Sequence, residues 1–561
     1  MSNLAPLPGG AFLVSDAPPE SVFSPEDFTA EARLMGRSAE DFLKKEVLPH
    51  VERIEAHDLD LMATLMHKAG EAGLLGAEVP EAYGGFGLDN RTGALIAEKL
   101  NWQQSFALSH EAHTVIATLP LMFFGSHALK SKYLPKLASG EWIGSFALSE
   151  TGSGSDALGA QTRAQLSGDG KHWTLNGTKM WITNTAFAQL FSVFAKVDGD
   201  KFSCFMVERD TPGVSFGKEE HKLGMKGTST RQVILENVQV PYENLVGDVG
   251  KGHYAAFCAL NMGRFKLEAG AVGGIKETLA VCAAYANQRK QFNRSIGSFG
   301  MIQAKLGSIC ARLFALESAV YRLAGELDSV FEGIDATADD AAKHYHHAAE
   351  EYAIECSIVK VIGSELYSWA TDEAIQIHGG YGYTEEFPVA RAWRDQRLLR
   401  IGEGANEIVR PIIINTLLRR AKQGRLSLEA QATNCSLKRS GLRLLHLLTE
   451  HFGASLAEEQ EALGAVSDII SSAYCHESMA LRIPKLKGAV QETARLCTAL
   501  YLHESQTAGV ALAQQVLTRC HADQASTTSL LAELSPSCTT DAIALRRQLA
   551  ATVLAGERYP F

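Results

Sequence analysis

The hydrophobic pattern changes period twice along the chain. From Phe28 to about Ala138, apolar residues recur every three or four positions, as at Leu43, Val47 and Val51. That spacing lines one face of a helix. Glycine-rich breaks such as Tyr83-Gly-Gly-Phe-Gly87 interrupt it, so a helical domain with loops is predicted. From about Glu141 to Gly250 the apolar residues fall in short runs, beginning at His172, Phe191, Phe202 and Gln232. These runs are rich in β-branched and aromatic residues and are bounded by turn signals such as Asn176-Gly177 and Asp198-Gly199-Asp200. They predict a small β domain, a barrel or a sandwich. No helical pattern separates the strands, which argues against a βαβ dinucleotide fold. From about Tyr254 to Leu418 long helical patterns return, clearest over residues 301–316, where the i, i+4 stripe is that of a bundle helix. A polar stretch follows, and residues 437–561 are helical again in pattern.

The resulting organisation is an irregular leader (1–27), an N-terminal helical domain (28–140), a β domain (141–250), a helical bundle (251–420), a linker (421–436) and a C-terminal helical extension (437–561). The fold class is mainly α with a central β domain.

With 561 residues the chain is too long for one core. Its formal charge of −11 speaks against a nucleic-acid binder. The extension is near neutral, so the negative balance sits in the first 420 residues. Ten cysteines are scattered singly, without Cys-x-x-Cys or zinc-like spacing, as expected of reduced thiols. The first 27 residues lack the basic start and apolar run of a signal peptide and the Arg-rich look of a transit peptide. No apolar run reaches the ~18 residues needed to span a bilayer. A cytoplasmic protein, most simply a bacterial one, is expected.

Two segments carry the candidate chemistry. In Phe146-Ala-Leu-Ser-Glu-Thr-Gly-Ser-Gly-Ser-Asp156, small residues and hydroxyls leave backbone N–H groups free for an anion or a heterocycle edge. Taken alone it also reads as a plain Ser/Gly turn. The second runs from Gln376-Ile-His-Gly-Gly-Tyr-Gly-Tyr383 through Arg394-Asp-Gln-Arg397 to Gly402-Glu403-Gly404. A carboxylate between two glycines is placed as well as exposed, because glycine lets the backbone approach a ligand. Taken alone, Glu403 also reads as a solvated carboxylate. His344-Tyr-His-His347 lies among acidic residues in a helical pattern. A solvated helix face is the better reading there, and no metal site is expected.

The order helical, β, helical, with these two signatures about 220 residues apart, resembles the acyl-CoA dehydrogenase family over roughly residues 28–420. The extension resembles the tail of its very-long-chain branch. The resemblance implies an N-terminal helical domain, a β barrel or sandwich, a C-terminal four-helix bundle and bound FAD. It places Phe146, Leu148, Ser149, Gly154 and Ser155 on the flavin-contacting strand and loop, with Ser155 also reaching the CoA moiety. It sets Trp181 and Ile182 against the flavin and the Thr183 hydroxyl near flavin N5. Arg289, Phe292 and Gln303 correspond to residues on the pyrophosphate and adenosine side. Gln376, Gly379 and Gly380 correspond to residues that reach FAD from a neighbouring subunit. Ala405 and Glu407 complete the cofactor set. Asn261 and Arg264 match residues holding the CoA part of the substrate, and Gly404 is counted on the substrate side. Ala107 and Glu111 fall where the family closes or opens the acyl pocket. Gly263 occupies a position that carries the catalytic Glu in some relatives, so the base must come from elsewhere.

That base is Glu403 by resemblance. Turning an acyl thioester into a 2-enoyl thioester requires removal of an α-proton and a β-hydride together. A carboxylate must face the α-carbon, and the enolate that develops needs donors, one being the backbone N–H of Glu403. Three departures stand out: Thr151 for a usual proline, Gly402 for a usual aromatic and Ala405 for a usual threonine. The last two leave the reaction class intact and put substrate identity in doubt.

The function implied is FAD-dependent α,β-dehydrogenation of an acyl-CoA, with electrons passed to an electron-transferring flavoprotein. The alternatives are an acyl-CoA oxidase using oxygen and a flavoprotein with a binding or assembly role. A DNA-associated relative would need a basic tail face, which this near-neutral tail lacks. A homodimer is expected, with a peripheral contact at the inner membrane face through an amphipathic side of the extension. Ala107 is small and Glu111 is not. The pocket is therefore expected to be wide near the reacting carbons and not necessarily deep, suited to medium-to-long, branched or ring-bearing acyl groups.

Overall fold

The computed structural model describes residues 6–428, 433 and 435–561. Parts of the expected leader (1–5) and linker (429–432 and 434) lie outside the described residues. The chain forms two compact units. One comprises Thr29–Gly270 and Val330–Glu350, the other Met1–Phe28, Ala271–Ser329 and Glu351–Phe561.

The first unit begins with helices, several of them started by a side-chain cap. Thr29 accepts from the Ala32 N–H at the head of Ala30–Phe42, Asp58 from Leu61 at Leu59–Glu71, and Asp89 from Thr92 at Asn90–Leu100. These caps satisfy N–H groups that the helices leave without internal partners. The Gln104–Glu111 helix widens into a π turn, Ala112–Ala117, before Thr118–Phe124. Phe42, Leu65, Met66, Leu100 and Phe106 share the core between these elements.

An eight-stranded sheet follows in the same unit. Its strands are β1 (Gly144–Ala147), β2 (Arg163–Leu166), β3 (His172–Thr183), β4 (Leu190–Val197), β5 (Lys201–Glu208), β6 (Val214–Phe216), β7 (Thr230–Pro241) and β8 (Leu245–Val246). The order is β6-β7-β3-β2-β4-β5-β8, with β1 parallel to β4. β3 and β7 pair along their length with two breaks in register, between Leu175 and Gly177 and between Lys179 and Ile182. Trp173, Phe191, Phe205 and Val233 fill the sheet's core.

The second unit is helical. It takes the C-terminal part of the Gly252–Gln288 helix, most of Gly300–Phe331, and Ala353–His378, Pro388–Gln396 and Asn406–Lys422. It also takes the helices of the extension, among them Ser436–Phe452, Gln460–Arg482 and Gly488–Arg519. The described leader holds only short 3-10 turns, yet it is buried within this unit. Phe12 and Leu13 are inaccessible, and Phe12 sits edge-on to Tyr474 with ring centroids 4.8 Å apart. The Gly9 and Gly10 N–H groups donate to Glu351 and Glu355 at 2.9 and 2.6 Å. A β-carbon on Gly9 would meet the Glu351 carbonyl oxygen at 1.9 Å, so only glycine fits. Among the described residues no helix is long and apolar enough to cross a membrane. All ten cysteines are free thiols.

Candidate functional site

Within the first unit, the flavin candidates lie at the end of β1 and in the loop after it, and at the end of β3. β1 runs out through Leu148 and Ser149 into the Glu150–Ser153 turn. This turn is anchored from below. Lys179 on β3 is wholly buried, and its ammonium donates to Glu150 Oε1 at 2.7 Å and to the Leu148 carbonyl at 3.0 Å. Glu150 also accepts from the Gln161 and Thr162 N–H groups at 2.6 and 3.0 Å. Burial alone would raise the Glu150 carboxyl, but Lys179 and these donors hold it below its ordinary value. The Met180 N–H donates to the Ser149 carbonyl at 2.8 Å, tying the outgoing strand to β3.

The register break after Lys179 has a direct consequence. Trp181 takes φ +57° and points outward with 56% of its surface exposed, while Ile182 turns inward. A bulge re-aims a side chain in this way. Thr183 is half-buried beside it, its carbonyl accepting from the Ser145 hydroxyl at 2.7 Å. Gly154 and Ser155 are exposed, and a β-carbon on Gly154 would meet nothing within 4 Å. Phe146 is half-buried, edge-on to Phe194. Asn261 receives a hydrogen bond from Arg264 at 3.1 Å and donates to the Ala349 carbonyl at 3.2 Å. Ala107 is buried. Glu111 lines a cavity of about 20 Å³, room for about one water, together with His110, Thr114 and the Glu78–Lys266 ion pair. Burial takes His110 down to about 4, so its ring is neutral there.

The second unit holds the remaining candidates in two places. A cavity of about 490 Å³ is lined by Tyr285, Arg289, Gln291, His378, Gly379 and Gly380, among others. Tyr285 stacks on His378 at 4.1 Å and donates to its carbonyl at 3.1 Å. Gly379 closes the Ala353–His378 helix at φ +61°, and nothing lies within 4 Å of a β-carbon at Gly379 or Gly380. Arg289 lies 5.5 Å from the Tyr381 ring. Phe292, Gln303 and Gln376 are not among the residues lining this cavity. Phe292 is 87% exposed, Gln376 is exposed, and Gln303 donates to the Gly297 carbonyl at 3.0 Å.

The other place is the turn at Gly402-Glu403-Gly404. Glu403 is half-buried at φ +55° and Gly404 follows at φ +93°. A positive φ is uncommon for a residue with a β-carbon and needs support from its surroundings. Support comes from the buried side of the turn. The Lys360 ammonium donates to the Gly404 carbonyl and to Asn406 Oδ1, both at 2.6 Å. Ala405 precedes the first residue of the Asn406–Lys422 helix without a side-chain cap, and Glu407 is exposed in its first turn. Among the described residues no group of three or more His, Cys, Asp or Glu is arranged to hold a metal. His344 instead pairs with Asp340 at 3.1 Å on an exposed helix face.

Comparison with known proteins gives the family. Sequence profiles match residues 29–141 (acyl-CoA dehydrogenase, N-terminal domain), 145–238 (middle domain) and 250–418 (C-terminal domain). A further acyl-CoA dehydrogenase C-terminal profile matches residues 436–532. The chain belongs to the acyl-CoA dehydrogenase family. It is thus an oxidoreductase by membership, with the helical–β–helical fold and an added C-terminal helical region. A family member from Bacillus subtilis (strain 168), named a probable acyl-CoA dehydrogenase, is 43% identical over 582 residues, covering 98% of each chain. The human mitochondrial very long-chain specific acyl-CoA dehydrogenase is 38% identical over 350 residues, 61% of this chain and 51% of that protein. A crystal structure of an acyl-CoA dehydrogenase complexed with FAD from Bacillus anthracis is 42% identical, with TM-score 0.96 over 99% of this chain and 100% of that one. The butyryl-CoA dehydrogenase of Megasphaera elsdenii is 33% identical over 70% of this chain and 99% of that one, with TM-score 0.64.

Sequence reasoning missed Lys179, Glu150, Lys360 and Asn406, which hold the candidate loops from behind. A signal was present in each lysine: Thr178-Lys-Met180 lies in a strand pattern and Ile358-Val-Lys-Val-Ile362 in a helix interior, where a cation is out of pattern.

Proposed function

We propose that the chain removes the α-proton and the β-hydride of an acyl-CoA thioester to give the trans-2-enoyl-CoA, with FAD as cofactor and Glu403 as the base. The observation that carries this reading is the pinned turn, which holds a half-buried carboxylate at a backbone angle its residue type resists. The residues suit FAD. The 490 Å³ cavity with Arg289 at its wall and Gly379–Gly380 leaving open space suits the phosphate-bearing end of a second copy's FAD. The exposed face of Trp181 suits a planar ring, with the half-buried Ser149 and Thr183 and the backbone of Ile182 completing that side. When bound, FAD supplies the hydride acceptor. Phe146, Leu148, Gly154 and Ser155 would shape the ring side, and Phe292, Gln303, Gln376, Ala405 and Glu407 the remainder. Asn261 and Arg264 would orient the CoA end. Glu403 takes the α-proton onto its carboxylate, while its own N–H and the Gly404 backbone meet the thioester oxygen as negative charge develops there.

Phe292 and Tyr383 are 87% and 89% exposed in the second unit, as suits a surface covered by a second copy. A homodimer, with Gln376–Gly380 reaching the neighbour's cofactor, follows on this reading. An electron-transferring flavoprotein would take the electrons. An aerobic assay for hydrogen peroxide distinguishes this from an oxidase.

The test is Glu403→Gln. The variant should retain FAD and still perturb the flavin spectrum on binding octanoyl-CoA. Anaerobic bleaching of the flavin should slow by roughly 10⁴-fold. A rate near that of the wild type overturns the assignment.

A further inference from the structure

We infer that Lys360 is a positioning residue for the reaction, acting on Glu403 through the Gly404 carbonyl and Asn406; this rests on Glu403 being the base. Lys360 lies on the Ala353–His378 helix and has no accessible surface. Two of its three ammonium hydrogens are spent on the turn, at the Gly404 carbonyl and Asn406 Oδ1, each 2.6 Å away. These acceptors lie one and three residues after Glu403. Both flank the peptide units that decide where the carboxylate sits.

The arrangement continues outward. Asn406 donates to the Ser364 hydroxyl at 3.1 Å and to Glu365 at 3.2 Å. Arg410 binds both Glu365 oxygens at 2.8 Å, and its Nε reaches Asp468 of the extension at 2.7 Å. Each member is held by a neighbour, so the Gly404 peptide has little freedom to rotate.

A purely structural need would be met at lower desolvation cost by an apolar side chain of Lys360's volume. An ammonium differs in fixing a carbonyl by direction as well as by contact. The carbonyl it fixes follows a residue at φ +55°, whose alternatives in the extended and helical regions are lower in energy. Without the ammonium the Gly404 peptide can turn, and Glu403 relaxes away from the α-carbon. A displacement of about 1 Å at a reacting group costs about 100-fold in rate. Binding of the thioester's CoA and acyl parts depends on other residues and should persist.

The experiment uses full-length protein with FAD bound and octanoyl-CoA as probe, following anaerobic flavin bleaching. Lys360→Met should slow bleaching about 100-fold while FAD content stays full and half-saturating octanoyl-CoA stays within about threefold. Asn406→Ala, which leaves the Gly404 bond in place, should slow it about tenfold. The double variant should be no slower than Lys360→Met alone, because both act through one turn. If Lys360→Met fails to fold, Asn406→Ala decides by the same split between rate and half-saturation. Wild-type bleaching in the folded variants, or equal losses in FAD, binding and rate, overturns the inference. Glu403→Gln, run alongside, separates the two failures. Full activity there removes the base and with it this role. Lost activity there with unimpaired Lys360→Met removes only the role of Lys360.

Discussion

Replacing Lys179 with methionine keeps most of the side chain's volume and removes its charge from the sheet. In the native protein that ammonium is wholly buried, 2.7 Å from Glu150 and 3.0 Å from the Leu148 carbonyl. Without it Glu150 keeps two backbone donors, from Gln161 and Thr162, but no cation. Breaking a buried pair by removing one partner typically costs about 3–5 kcal/mol, because the other charge stays behind. The stranded Leu148 carbonyl belongs in the same total, at about 1–3 kcal/mol. The cost should be local, since the pair ties the 146–162 segment to β3. Amide hydrogen exchange should show it as faster opening at Gln161, Thr162 and Met180, with the helices of the second unit unchanged. FAD content on purification should fall. Adding Glu150→Gln should recover part of the loss, giving a coupling energy of about 2 kcal/mol or more. The sign with pH follows. The Glu150 carboxyl lies below its ordinary value in the fold, so its stabilisation is present above the unfolded carboxyl's range and is lost as pH falls through the folded one. A cost below about 1 kcal/mol, or a double variant no better than Lys179→Met, would refute the view that this pair holds the loop.

Two further substitutions probe other parts of the molecule. Burial beside Glu326 pushes the Glu355 carboxyl up from 4.5 to about 8, so the folded chain keeps a proton that the unfolded chain releases. Stability should therefore fall as pH rises across that window. Glu355→Gln, which keeps an acceptor for the Gly10 N–H, should be more stabilising at pH 8 than at pH 5 in urea titrations; an equal effect at both counts against it. Glu111→Gly should enlarge the small cavity that Glu111 lines and shift the acyl-CoA profile toward longer chains, measured as kcat/KM from C8 to C16 substrates. An unchanged profile means that Glu111 does not form the pocket floor.

The order of elements was readable because it rests on period. The strands beginning near His172, Phe191, Phe202 and Gln232 appear where β-branched and aromatic residues alternate, and the long helices where stripes repeat. The glycines at 379 and 404 also read correctly as turn positions, since both take positive φ. What composition could not show was direction. Trp181 in a strand pattern belongs in a core by its size, and only a break in pairing with β7 turns it outward. The break depends on the register of two strands some fifty residues apart, which no local window contains. Likewise Glu403 itself, and not only its glycine neighbours, takes the unusual backbone angle, and the cation that holds it there lies 43 positions earlier. The leader was legible as irregular but not as buried, because its anchors, Glu351, Glu355 and Tyr474, are distant in sequence.

The extension shows the same limit from the side of charge. Its near-neutral composition suggests solvated helix faces, yet several of its charges are buried and matched one by one. Arg482 donates to Glu317 at 2.5 Å and to Glu26 of the leader at 2.8 Å. Arg322 donates to Glu477 and Glu326, both at 2.8 Å, and Tyr474 donates to Glu326 at 2.9 Å. Lys438 bridges Asp16 and Glu477. Such pairs add little net stability, because desolvation offsets attraction. They do penalise every packing that leaves one charge alone, and so they select one docking of leader and extension over others of similar apolar burial. Arg322 and Glu317 belong to the Gly300–Phe331 helix, inside the segment common to shorter family members, and both are almost wholly buried. Their partners Glu477 and Arg482 belong to the extension. Removing the extension would therefore leave a buried arginine and a buried glutamate short of their partners, besides exposing apolar surface. On these grounds the extension is an integral part of the packed body that carries the Glu403 turn, joined to it again by Asp468 through Arg410.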